Sequence, residues 1–101
     1  MLPDDFKFKT TFWQDFSIAD RFGYDAIEDT FKRAFAEWKD NPESLTELVI
    51  VLNWKIWDHY DEKDGDNTIA NLYNRLWEEA DAYAVEHLKG EDADYFYEMT
   101  D

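Results

Sequence analysis

Between Leu45 and Tyr60 the chain reads LTELVIVLNWKIWDHY. At about 100° per residue, Leu45, Leu48, Val49, Leu52, Ile56 and Tyr60 fall on one broad helical face, with Trp57 beside it and Ile50 and Trp54 extending it. The one consistent polar stripe is Glu47, Lys55 and Asp58, with Val51 set among them. A helix apolar over most of its circumference must be covered on several sides, which predicts a central core helix over about residues 43–60. The segment is too short for a membrane span, and its three charges count against one.

The flanking patterns are also helical. Thr11 followed by Gln14 fits a capping box, and Phe12, Phe16, Ala19 and Phe22 line one side of a short helix that ends at Gly23. From Tyr24 to Lys39 the apolar positions Ile27, Phe31, Ala34, Phe35 and Trp38 repeat at three and four. Glu28 and Lys32, like Asp29 and Arg33, are opposite charges four apart with the acid first, the favourable order on a helix. Asp40, Asn41 and Pro42 end that element, and either Asn41 before Pro42 or a Ser44/Glu47 capping box can start the central helix. DEKDGDN, 61–67, reads as a polar loop. Asn67 or Thr68 then opens a long helix that runs to about Lys89, carried by Ile69, Leu72, Tyr73, Leu76, Trp77, Ala80, Tyr83, Ala84 and Leu88 and stopped by Gly90. A last short helix over Asp92 to Met99 would pack Tyr95, Phe96 and Met99 back on the rest. Residues 1–10, with Phe6, Lys7, Phe8 and Lys9 alternating, read as an N-terminal arm that tucks a phenylalanine onto the bundle, since a lone strand has no ladder partner. The expected fold is one all-α domain over 1–101, a compact bundle of four to five helices around the central one.

Composition sharpens this picture in two ways. Five Trp, six Tyr and eight Phe in 101 residues imply a core of bulky rings. The absence of cysteine excludes disulfides, thiolate metal sites and cysteine nucleophiles. Met1 to Thr10 has no apolar signal-peptide region, so a cytoplasmic protein is expected. The net charge of −15 is unevenly spread, with −4 over residues 1–57 and −11 over 58–101. Such a field opposes direct contact with nucleic acid or an anionic membrane and attracts a basic protein partner.

The constellations that could carry chemistry mostly fail on spacing. Asp61, Glu62, Asp64 and Asp66 surround Gly65, yet aligning that glycine with a calcium loop puts Tyr60 and Asn71 where two essential ligands belong. The Glu-x-x-His mark of a di-iron bundle is absent, because Ile56 precedes His59 and Ala84 precedes His87 at that spacing. Both histidines sit at helix C-termini, where the dipole favours them. Ser17 and Ser44 lack a glycine-flanked elbow, and Glu78, Glu79 and Asp81 lie opposite the apolar stripe as a solvated face. No catalytic, metal or cofactor residue is therefore expected, the alternative being a small carboxylate-based metal or hydrolytic module.

Trp38, Trp54, Trp57 and Trp77 sit at core spacing, whereas Phe12, Trp13 and Phe16 are surplus rings that could form an exposed patch. The stretches TFWQDFSIADRFG (Thr11 to Gly23), TELVIVLNWKIW (Thr46 to Trp57) and LWEEADAYA (Leu76 to Ala84) resemble small acidic uncharacterised proteins carried by conjugative transposons and related mobile elements of gut Firmicutes. The resemblance covers most of the chain and implies a setting, with no catalytic residue. The expected function is a non-enzymatic interaction module, in its sharpest form a nucleic-acid mimic, that meets a basic protein through Trp13, Asp61, Glu62, Asp64, Asp66, Glu78, Glu79, Asp81 and Glu86. The chain is expected as a monomer or homodimer, with the acidic charge opposing close approach of two copies.

Overall fold

The computed structural model describes residues 6–60 and 67–100, and over these the chain is an all-α bundle of five helices without a strand. In chain order they are α1 (Phe12–Asp20), α2 (Tyr24–Trp38), α3 (Pro42–His59), α4 (Thr68–His87) and α5 (Glu91–Thr100). The polar loop expected at 61–67, apart from Asn67, lies outside the described residues. No described helix is long and apolar enough to cross a membrane.

Helix boundaries follow local chemistry. Gly23 takes φ 101°, a conformation that side chains rarely tolerate, and so turns α1 directly into α2. Gly90, at φ 59°, does the same between α4 and α5. At the start of α3 the Asn41 side chain accepts the Ser44 N–H at 3.1 Å with Pro42 at the first helical position, which decides for that cap over the Ser44/Glu47 box. The expected Thr11/Gln14 box does not form. The Thr11 hydroxyl donates to Asp15 Oδ2 at 3.0 Å instead of capping a backbone N–H. Of the two expected intrahelical ion pairs on α2, Asp29 and Arg33 lie 3.6 Å apart, while Glu28 reaches across to Arg75 on α4.

The central helix is where the hydrophobic pattern placed it. α3 packs against all four other helices, most extensively against α4, and every residue from Ser44 to Leu52 is buried. Phe12, Phe16, Ile27, Phe31, Leu45, Leu48, Leu52, Tyr73, Leu76 and Phe96 join in one core cluster drawn from all five helices. Coverage fails at the C-terminal end of α3, where Asn53, Trp54, Trp57, Asp58 and Tyr60 face solvent. Trp54 and Trp57 are therefore not core residues as their spacing suggested, being 40% and 69% exposed. The returning α5 lies near the opposite end of α3, since Glu43 and Glu47 are among the charges that act on Tyr95. Phe12 and Phe16 are core rather than patch, and Phe22 is 78% exposed because α1 stops at Asp20 and leaves it in the turn.

Because coverage differs along α3, size does not predict the cost of truncation. Leu52→Ala should lower stability by about 2–5 kcal/mol through lost burial and a cavity, whereas the larger deletion Trp57→Ala should change it by less than about 0.5 kcal/mol. Urea denaturation of the two variants checks this.

Candidate functional site

Glu47, Val51, Lys55 and His59 follow one another at four-residue steps and make one ridge along α3. The sequence pattern gives Glu47, Lys55 and Asp58, with Val51 among them, as the helix's polar stripe, yet of these only Asp58 is exposed. Glu47 and Lys55 are each only 2% exposed. A charge taken out of water needs a partner and hydrogen bonds to offset its lost hydration, and α1 and the N-terminal arm supply both.

Lys55 donates from Nζ to Asp20 Oδ2 at 2.8 Å and to Ser17 Oγ at 2.9 Å, both on α1. The ammonium also lies 4.2 Å from the centre of the Trp13 ring, a cation–π arrangement that closes the third side. Asp20 is the hub. Its Oδ1 accepts the Tyr73 hydroxyl from α4 and lies 3.0 Å from His59 Nε2 on α3. That nitrogen is shielded from solvent and stands close to Asp20 without a hydrogen bond of regular geometry. The His59 ring stacks on Tyr73, 5.4 Å between centroids. Burial alone would raise the Asp20 carboxyl, but Lys55, Tyr73 and His59 outweigh it and hold the group below the ordinary carboxylate range. Burial, and then the hydrogen bond to that carboxylate, push the Tyr73 phenol far above its ordinary range, so it stays a donor.

Asp20, Asp58 and His59 have ligand atoms within 4.8 Å of one another, which raises the question of a metal. The donor set does not suit one. Lys55 Nζ already stands 2.8 Å from Asp20 and 3.9 Å from Asp58, so the cluster contains its own cation, and a divalent ion would strand that ammonium in the core. Lys55 and Tyr73, at 2% and 0% exposed, are likewise closed to a substrate.

What the ion pair does is hold the C-terminal end of α3 against α1 and α4. On the outer side of that end Trp54, Trp57 and Tyr60 form an exposed aromatic ledge, with the Trp57 and Tyr60 rings 6.0 Å apart. Trp54 touches Trp13 edge-on at 6.0 Å and Phe8 at 5.1 Å, so the ledge is continuous with the arm. Trp13 itself is half-buried in this stack and is not an open anchor.

Of the expected acidic surface, the described residues Glu78, Glu79, Asp81 and Glu86 all lie on α4. Asp61, Glu62, Asp64 and Asp66 lie outside the described residues. Glu78 is exposed and accepts from Asn74, and Glu79 lines a cleft of about 200 Å³ that also carries Lys32, Lys39 and Arg75. Asp81 is half-buried, with its carboxyl raised by that burial, and Glu86 is exposed near the far end of α4. His87 stacks on Tyr83 at 4.0 Å, in the last turn of α4 where its sequence position put it.

The sign of the Asp20 shift fixes a pH dependence. A carboxyl held below its unfolded value, about 3.9, contributes stability that is full above that value and is lost as pH falls through the lower folded-state value. Asp20→Asn should cost about 3–5 kcal/mol at neutral pH, because it strands Lys55, and its deficit should shrink below about pH 4. Denaturant titrations of both chains across that window check the effect.

No protein-family model matches the chain, and comparison with the curated proteins and with the solved structures gives no match either. The functional reading accordingly rests on the site itself.

Proposed function

We propose that this chain is a non-enzymatic interaction module whose α3 ledge receives a basic protein. The observation that carries the reading is Trp57, 69% exposed and flanked by exposed Trp54 and Tyr60 on a helix that is otherwise the most buried in the molecule. Tryptophan and tyrosine are the residues that most often dominate binding energy, and contiguous exposed rings mark interaction surfaces on monomers.

Charge selects the partner. At −15 the chain repels other anions and a second copy of itself, and it draws a basic surface toward contact. Asp58 is exposed on α3 one turn beyond Trp54, where a lysine or arginine could pair with it while stacking on that ring. The ion pair beneath gives the ledge a fixed backing, which limits the ordering cost on binding.

Pull-down by the immobilised chain, at low and high salt, tests this reading against the Trp57→Ala variant. Basic proteins should be retained by the wild type, released at high salt, and bound roughly tenfold or more weakly by the variant, whose thermal stability is unchanged. Capture that is indifferent to both salt and Trp57 would contradict it.

A further inference from the structure

The N-terminal arm shows by its own contacts what kind of segment this bundle binds. Glu47, buried on α3, accepts the Lys9 N–H on Oε1 and Oε2 at 3.0 and 3.1 Å, the Thr10 N–H on Oε1 at 3.0 Å and the Thr10 hydroxyl on Oε1 at 2.7 Å. A carboxylate that receives two successive backbone N–H groups and a hydroxyl is a clamp for a peptide, because most of those donors belong to the main chain. Side chains add register. Phe6 and Phe8 are half-buried while Lys7 is exposed, the alternation of an extended run, and the chain then bends at Lys9 and Thr10, which brings both of their N–H groups onto Glu47. Phe8 meets Trp54 edge-on and Phe6 meets Phe8, both at 5.1 Å, and Lys9 reaches Glu43 at 3.4 Å.

We propose that the arm occupies in cis a peptide-binding site for a segment of a partner protein in which aromatic residues alternate with lysine or arginine ahead of a bend. The site consists of Glu47 as the main-chain clamp, Trp54 backed by Trp13 as the aromatic shelf, and Glu43 as the outer acid. Charge complementarity argues for the occupant: Lys7 and Lys9 are the only basic residues among the first twenty of a strongly acidic chain, and both lie in the segment that docks. The arm packs Phe8 against one edge of Trp54, so its displacement would free more of that ring at the moment a partner arrives. This inference rests on the reading of a basic partner and adds where its segment seats.

The test uses a labelled peptide with the sequence FKFKTT, residues 6–11, and the full chain. Fluorescence anisotropy should show binding to a Phe6→Ser, Phe8→Ser double variant, whose own arm is weakened, and binding about tenfold weaker to the wild type, where the arm competes. Adding Glu47→Gln to the double variant should lose about tenfold or more in affinity, since the amide cannot accept all of these donors. In the wild-type chain, saturating peptide should speed hydrogen exchange at the Lys9 and Thr10 amides. No binding by a natively helical double variant would overturn the proposal, as would unchanged exchange at those two amides, which needs no variant to fold. Sedimentation of the wild type as an arm-exchanged dimer would overturn it too, by giving the site to a second copy. Loss of partner capture on Trp57→Ala alongside any of these results would leave the ledge reading standing without this site.

Discussion

The bundle depends on a constraint set by α3, which must be covered on nearly every side while carrying Glu47 and Lys55 on one of them. Neither charge could be buried against an apolar neighbour without a large penalty. The solution is geometric. Short polar segments from the N-terminal part of the chain, Lys9–Thr10 and Ser17–Asp20, lie along that ridge and satisfy each charge with partners of the right sign. Two polar contacts thereby fix where the arm and α1 sit, a choice that hydrophobic packing alone would leave open. A buried pair contributes such orientation more dependably than it contributes net stability.

The same arrangement explains why the exposed surface has the form it does. From Ser44 to Leu52 α3 is wrapped completely, and the partners used to cover the ridge leave the outer face of its C-terminal half bare. Three rings remain there on a rigid support, next to an arm whose own aromatics are already seated at their edge. On the reading proposed above, this acidic chain with exposed aromatic residues on a fixed scaffold receives a basic protein there. Among the described residues the cluster of Asp20, Asp58 and His59 is engaged with Lys55 in holding that scaffold together.

Much of the architecture was legible in the sequence because the evidence for it is periodic. The apolar spacing of α2 and α4, the stop at Gly23 and Gly90, and the continuous greasiness of α3 each require a helix in that place. The site was less legible, since it is assembled from distant positions. The pattern put Lys55 on a polar stripe without naming a partner, and Asp20, which pairs with it, lies 35 residues away on another helix. One signal was available: an acid and a base two helical turns apart, with Val51 between them, on an otherwise apolar helix imply buried partners more readily than a solvent face. The exposure of Trp54 and Trp57 carried no local mark at all. Their spacing is that of core residues, and only the placement of the neighbouring elements decides that nothing covers them.

The central claim, that Lys55 and Asp20 are bound to each other and together orient α1 on α3, is tested most directly by a double-mutant cycle with Lys55→Met, Asp20→Asn and both changes combined, each measured by chemical denaturation. The account predicts strong coupling, about 1.5–3 kcal/mol, with the double variant recovering much of what Asp20→Asn alone loses. Additive losses, with a coupling energy near zero, would contradict it.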